Sequence, residues 1–126
     1  MLNKKIGFIG AGKMGEALIR GMLNAKLTSP DNICASDIDA RKTQNISTIG
    51  VLICESNADV VRRSDVVIFA VKPKIVKPVL DEVKELVEEQ LLISIAAGVP
   101  LSVFESALPG ARVVRVMPNI ACTVGE

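Results

Sequence analysis

Three glycines near the start of the chain, Gly10, Gly12 and Gly15, have the spacing G-x-G-x-x-G. They follow a short apolar run over 6–9 and precede a stretch with the apolar periodicity of a helix. In a strand–turn–helix unit, the first glycine permits a tight turn, the second lets backbone approach a pyrophosphate, and the third allows close packing of helix on strand. The helix start also offers free N–H groups to an anion. The loop therefore predicts a dinucleotide-binding site rather than a glycine turn used only for packing.

Asp37 lies 22 residues after Gly15, at the predicted end of the second strand. A carboxylate there accepts hydrogen bonds from the adenosine ribose and repels a 2′-phosphate, which favours NAD. Arg41 and Lys42 follow within about one helical turn and are able to pair with that phosphate, which favours NADP. Asp37 is nearly as well suited to cap the next helix as to bind the ribose. Asn57 also has two alternative roles, because it either contacts the adenosine or caps a helix. The choice between NAD and NADP stays open on these residues.

Two further segments follow apolar strands and are rich in small residues. Ala70-Val71-Lys72-Pro73 comes after the fourth predicted strand, and Ala96-Ala97-Gly98 comes after the fifth. Because ligands of such sheets bind at the carboxyl ends of the strands, we expect both segments to line the groove. Lys72 is either a phosphate or substrate contact or a solvated lysine. Asn119, after the sixth strand, is either an amide near the nicotinamide or a turn residue.

The elements that position these residues alternate along the whole chain. Apolar stretches predict strands over 6–9, 33–35, 51–53, 66–71, 91–95 and 112–116. Helical patterns lie between them: from about 13, over 41–49, around 60–61, after Pro73 and over 101–108. Such alternation requires a parallel sheet with right-handed crossovers. The fold class is therefore α/β, a Rossmann-type doubly wound, mainly parallel sheet with helices on both faces, forming one domain over residues 1–126.

Two of these helices have clear apolar faces, with apolar residues recurring every three or four positions. In the first helix the face consists of Met14, Leu18, Met22 and Ala25. In the helix after Pro73 the stripe consists of Ile75, Val79, Val83 and Leu86, widened by Val76, Leu80 and Val87. We expect these faces to cover the sheet.

The composition excludes several classes of site. The chain contains no His, so it cannot supply a His general acid, a Ser/His triad or a His metal ligand. Its three Cys are an odd number without C-x-x-C spacing, so we expect reduced, buried thiols and no metal site. A net charge of +1 and only three aromatic residues argue against a nucleic-acid partner. No apolar run approaches the roughly 20 residues of a membrane span, and we expect a cytoplasmic protein.

Several segments together resemble pyrroline-5-carboxylate reductase. They are, in order, G-F-I-G-A-G-K-M (7–14), S-D-V-V (64–67), A-V-K-P (70–73), S-I-A-A-G-V (94–99) and R-V-V-R-V-M-P-N (112–119). The glycine loop is shared with many dehydrogenases. The A-V-K-P, S-I-A-A-G-V and R-V-M-P-N segments, in that order, are more diagnostic, and the resemblance spans essentially the whole chain.

The resemblance implies transfer of a hydride from NAD(P)H to the C=N carbon of 1-pyrroline-5-carboxylate, which gives L-proline in the last step of proline biosynthesis. A protonated imine is already electrophilic, so the protein mainly needs to orient the donor and the acceptor. No catalytic residue is identified in this chain. Family members often use NADPH with a hydroxyl residue near the position of Asp37, so the resemblance favours NADPH slightly, although the carboxylate departs from that pattern.

Carried over by position, the family's contacts fall on the strand ends. The cofactor-binding residues are Ile9, Gly10, Ala11, Gly12, Lys13, Met14, Gly15, Asp37, Asn57, Ala70, Val71, Lys72, Pro73, Ala96, Ala97 and Gly98, and Met117 and Asn119 are on the nicotinamide or substrate side. The family's second, helical domain, which forms the homo-oligomer and completes the imine site, has no counterpart here. We expect this chain to supply the cofactor-binding half and to catalyse little alone.

Two alternatives remain from the sequence. One is an NAD(P)-binding regulatory or sensor module without catalysis, because a fold does not fix a function. The other is a related β-hydroxyacid-type dehydrogenase domain with the same glycine loop. The S-I-A-A-G-V segment argues against the second alternative, and turnover after addition of downstream sequence would argue against the first.

Overall fold

The computed structural model describes residues 3–116, and within them strands and helices alternate as predicted. The strands are β1 Ile6–Ile9, β2 Ile33–Ser36, β3 Leu52–Ile53, β4 Val66–Phe69, β5 Leu91–Ser94 and β6 Arg112–Arg115. The helices are α1 Lys13–Asn24, α2 Ala40–Ser47, α3 Asn57–Arg63, α4 Pro73–Val83 and α5 Leu101–Ala107, with a short 3₁₀ turn at Pro30–Asn32. Met117 and Asn119 lie outside the described residues.

The six strands form one sheet in the order β3-β2-β1-β4-β5-β6, and every neighbouring pair is parallel. The central strand β1 pairs with β2 on one side and with β4 on the other. The order of strands reverses at this point, which is where doubly wound sheets bind ligands. The predicted fold class is confirmed.

Side chains of successive strand residues point to opposite faces and build two hydrophobic layers. On one face Phe8 packs with Ile19 of α1 and Ile46 of α2. On the other face Phe69 packs with the buried residues of α3, α4 and α5, including Phe104. The rings of Phe69 and Phe104 meet edge to face at a centroid distance of 5.3 Å. Helices therefore cover both faces, and all crossovers leave from the carboxyl edge of the sheet.

The buried face of α4 differs from the predicted stripe. Ile75 is 40% exposed, whereas the buried residues are Val76, Val79, Leu80 and Val83. Successive residues of an α-helix are rotated by about 100° around its axis. The four buried side chains therefore point, on average, about a quarter turn away from the Ile75 side chain. The prediction for Ile75 was therefore wrong, because several apolar residues on one helix allowed two overlapping stripes.

The face of α1 is also centred elsewhere than predicted. Gly15 and Ile19 are its buried residues, and Met14, Leu18 and Met22 are only partly buried at its margins. Ala25 is exposed, because the helix has ended at Asn24. The predicted residues thus lie at the edges of the surface that α1 buries against the sheet, and not at its centre.

Candidate dinucleotide-binding site

The loop between β1 and α1 passes between the ends of β2 and β4. The Gly10 N–H donates to the carbonyl oxygen of Ser36 at 2.8 Å. Gly10 has φ +101°, and a Cβ there would lie 2.6 Å from the carbonyl oxygen of Ala70. Both the backbone conformation and the neighbouring strand therefore require glycine at this position.

Gly15 and Gly12 differ in what surrounds them. A Cβ at Gly15 would lie 2.8 Å from the carbonyl oxygen of Gly10, so this glycine lets α1 pack against the loop. A Cβ at Gly12 would meet only the Lys42 Nζ, at 3.9 Å, and Gly12 has an ordinary φ of −73°. Protein packing therefore explains Gly10 and Gly15 but leaves Gly12 without a structural reason.

The start of α1 has the features of an anion site. No side chain caps this helix, whose N-cap is Gly12. The N–H groups of a first helical turn have no helical carbonyl to bond and carry the positive end of the helix dipole. Because a Cβ at Gly12 would meet no backbone atom and only the end of the Lys42 side chain, a phosphate has direct access to these groups. This is the part of the site that fits a dinucleotide pyrophosphate.

Asp37 follows β2 and bonds to the glycine loop. Its Oδ2 accepts from the Ala11 N–H at 2.8 Å, and its Oδ1 accepts from the Asp39 N–H at 2.9 Å. The helix cap is instead Asp39, whose carboxylate accepts from the Arg41 N–H at 3.0 Å. That backbone bond, with the Arg41 guanidinium, lowers the pKa of Asp39. The alternative in which Asp37 caps α2 is therefore wrong, and both Asp37 oxygens already have partners in the protein.

Basic side chains lie beside this turn. Lys42 projects from the first turn of α2 towards Gly12, and Arg41, with 90% of its side chain exposed, has its Nε 3.4 Å from the Asp39 Oδ1. Ile38, between the two aspartates, is fully exposed. The same turn borders a depression of about 570 Å³, which is lined by Asp39, Arg41, Lys42, Gln44, Asn45 and Thr48. The β2–α2 turn thus offers both positive charge and an apolar surface.

Asn57 lies at the same edge of the sheet, as the first residue of α3. Its Oδ1 accepts from the Ser36 hydroxyl at 2.6 Å, and its Nδ2 donates to the Glu82 Oε1 at 3.0 Å. The cap of α3 is Ser56, which accepts from the Asp59 N–H at 3.1 Å. The alternative role of Asn57 as a helix cap is therefore wrong.

The segments after β4 and β5 reach the same edge. Lys72 is exposed immediately before α4, which begins at Pro73. Ala96 is buried, whereas Ala97 and Gly98 are exposed, and Gly98 has φ +77°. The structure thus brings the ends of β1, β2, β4 and β5 together, as the carboxyl-end rule predicts.

Sequence reasoning missed two features of this site. The bond from Ala11 to Asp37 spans 26 residues, and that from Asn57 to Glu82 spans 25. Neither contact has a local spacing signal, since each depends on how elements pack. Within residues 3–116 no cluster of acidic or Cys side chains could hold a metal ion, and no helix is long and apolar enough to cross a bilayer.

Residues 5–98 match the family described as coenzyme F420-dependent NADP oxidoreductase. The chain is 53% identical to a pyrroline-5-carboxylate reductase of Methanosarcina acetivorans, over 100% of this chain and 48% of the relative. A solved pyrroline-5-carboxylate reductase of Coxiella burnetii superposes with a TM-score of 0.86 at 34% identity, over 94% of this chain and 45% of that one. A Plasmodium falciparum pyrroline carboxylate reductase with NADP bound gives 0.84 at 35% identity, over 100% and 46%. The chain spans about half the length of these proteins.

Proposed function

The chain belongs to the coenzyme F420-dependent NADP oxidoreductase family, and from that premise we propose that it is the cofactor-binding half of a pyrroline-5-carboxylate reductase. The observation that carries the proposal is 53% identity to such a reductase along the whole of this chain. The uncapped start of α1 supports it, as does the absence of any backbone atom near a Cβ at Gly12, because together they leave room for a pyrophosphate. The substrate is then a small cyclic imine, reduced to L-proline.

In this mechanism the chain's residues bind and orient. The α1 N–H groups would hold the pyrophosphate, and the loops after β4 and β5 would border the nicotinamide end of the groove. The cofactor supplies the hydride. A protonated imine accepts it without a strong acid, so orientation supplies most of the catalysis and the lack of His is compatible with the activity.

We further propose that NADPH is preferred over NADH. The Asp37 carboxylate accepts two backbone N–H groups, so it belongs to the loop scaffold and is less available to the ribose. Lys42 and Arg41 lie at the turn that would receive the adenosine 2′-phosphate. Charge-assisted bonds to phosphate are among the stronger polar contacts. The NADP-bound relative from Plasmodium falciparum is in keeping with this preference.

A substitution at Gly12 tests the cofactor proposal. Gly12→Ala adds a methyl group that meets no backbone atom, so we expect unchanged thermal stability, but dinucleotide binding should weaken at least about tenfold because the pyrophosphate loses close access. Calorimetric titration gives the affinity. Gly21→Ala, on the same helix with no atom within 4 Å, is the control and should bind normally. Normal binding by Gly12→Ala would contradict the proposal.

A substitution at Lys42 tests the cofactor preference. Lys42→Gln removes one positive charge from the turn that would receive the 2′-phosphate, so we expect NADPH affinity to fall by roughly 5- to 50-fold. NADH affinity should fall much less, because only its pyrophosphate, near Gly12, would lie within reach of this charge. Lys26→Gln, at the other end of α1, is the control for net charge. The measurement is the ratio of the two dissociation constants, and an unchanged ratio in Lys42→Gln would contradict the preference.

The remaining parts of the proposal concern the whole enzyme. Substrate contacts and homo-oligomer formation would come from the portion of the family's members that this chain does not match. A reducing compartment such as the cytoplasm suits the chain, since Cys34 and Cys54 are free thiols.

A further inference from the structure

Three elements meet at the side-chain amide of Asn57. Ser36 is the last residue of β2 and is 3% exposed, Asn57 begins α3, and Glu82 is an exposed residue near the end of α4. The Ser36 hydroxyl and the Glu82 carboxylate bond to opposite atoms of the same amide, at 2.6 and 3.0 Å. The network therefore lies at the carboxyl end of β2, on the edge of the sheet where we propose that the dinucleotide binds.

The chemistry of Glu82 determines which way the amide points. An ionised carboxylate only accepts hydrogen bonds, so the amide must turn its Nδ2 towards Glu82. The Oδ1 then faces Ser36, whose hydroxyl is able to donate to it. The Ser36 hydroxyl alone would not select an orientation of the Asn57 amide, because a hydroxyl is able both to donate and to accept a hydrogen bond. Glu82 is thus the group that distinguishes the two orientations.

We infer that Glu82 is a positioning residue for cofactor binding. It fixes the Asn57 amide so that the second Nδ2 proton is directed to an acceptor on the adenosine half of the dinucleotide. This inference rests on the proposed function, because the orientation matters only if the groove holds that ligand. Glu82 acts through Asn57 and does not itself touch the cofactor.

Glu82→Lys reverses the preference of the amide. A lysine ammonium only donates, so Asn57 should turn its Oδ1 towards it and lose the N–H offered to the ligand. We expect the dissociation constant for NADPH to rise about three- to tenfold, the effect of one hydrogen bond. Asp81→Lys, one residue earlier on the exposed surface of α4, makes the same charge change and should bind NADPH as well as the unmodified chain or better.

Glu82→Gln is the conservative variant, and it should retain near-normal affinity because its Oε1 still accepts from the Asn57 Nδ2. The ¹⁵N-resolved signals of the Asn57 side-chain amide give a second readout without any cofactor. The chemical shifts of these signals should change in Glu82→Lys and should be unchanged in Asp81→Lys. Thermal unfolding of each variant checks that the surface substitutions leave the fold intact.

Equal affinities for Glu82→Lys and Asp81→Lys would overturn the positioning role, as would equal losses in Glu82→Lys and Glu82→Gln. Failure of the unmodified chain to bind NADPH or NADH would instead overturn the proposed function. In that case the Asn57 signals still decide whether Glu82 orients the amide.

Discussion

At the glycine loop, the effect of adding a methyl group depends on the position. At Gly10 and Gly15 the new atom would meet backbone carbonyl oxygens at 2.6 and 2.8 Å, which cannot move without shifting a strand or the loop. At Gly12 it would meet only the end of a flexible side chain, the Lys42 Nζ at 3.9 Å. The G-x-G-x-x-G spacing predicts all three roles, and the structure separates the two that serve packing from the one that leaves room for a ligand.

Asp37 shows what a sequence cannot reveal about a single residue. Its position predicted either a ribose ligand or a helix cap, and the structure gives it a bond to the Ala11 N–H. The helix cap lies two residues later, at Asp39. Two aspartates at one turn both satisfy the local capping pattern, and only the approach of the β1–α1 loop decides between them.

Cys54 provides a prediction on pH dependence. Burial, together with the neighbouring Cys34, raises the pKa of the Cys54 thiol from 9.0 to about 12. Above pH 9 the unfolded chain loses this proton while the folded chain keeps it, so the free energy of unfolding should fall as the pH rises from about 9 towards 12. At about pH 10.5, which is about 1.5 units above the thiol's ordinary pKa of 9.0, we expect a loss of about 2 kcal/mol from this group.

Urea unfolding of the unmodified chain and of Cys54→Ala at about pH 8 and pH 10.5 measures this contribution. All other ionisable side chains are present in both proteins, so the difference between them reports Cys54 together with its interaction with Cys34. The stability advantage of the unmodified chain should shrink at the higher pH. A difference that is the same at both pH values would contradict the assignment.

At the scale of the elements, α3 comes unusually close to β1. A Cβ at Gly7 would overlap the Ser64 Oγ and the Val60 Cγ1. The Ser64 hydroxyl also donates to the Val60 carbonyl oxygen at 2.5 Å and lies 3.6 Å from the Cys34 Sγ. Gly7 is outside the loop motif, and the sequence offered no reason for a glycine inside this strand.

Gly7→Ala should therefore destabilise the fold. The added methyl group forces α3 away from β1, and overpacking of a well-packed core costs about 1–3 kcal/mol. Chemical denaturation measures the change in the free energy of unfolding. Gly21→Ala, which meets no neighbouring atom, should be neutral or slightly stabilising. A neutral Gly7→Ala would show that α3 can move without loss of contacts.

The elements themselves were largely predictable, because apolar runs and turn residues are local signals. The buried faces of the helices were harder to predict than the positions of the helices along the chain. Ile75 and Val76 are neighbouring apolar residues of α4, and the sequence alone does not show which is buried. The packing of α4 on the sheet buries Val76 and leaves Ile75 exposed. The Asn57–Glu82 bond was not predictable at all, because it depends on the packing of α3 beside α4.

At the scale of the whole molecule, the strand order determines where the site lies. Alternation of strands and helices predicted a doubly wound sheet, and from that the carboxyl edge followed as the place of binding. A depression of about 480 Å³ at the opposite edge, near the starts of β4, β5 and β6, is lined by charges of both signs. Depressions of similar volume therefore lie at both edges of the sheet, and it is the topology that selects the carboxyl edge as the candidate site.

The central position of β1 has a consequence for protein synthesis. β1 leaves the ribosome before the other five described strands, but Ile6 finds its second neighbour only at Val66. Val66 lies 60 residues after Ile6, so at about 5–20 residues per second it appears about 3–12 s later, and during that time one apolar edge of β1 stays unpaired. A nascent chain arrested before Val66 should be cut by protease within β1, whereas one arrested after α4 has emerged should be protected. Among the six strands that the structure describes, β1 is therefore the one that waits longest for its second partner.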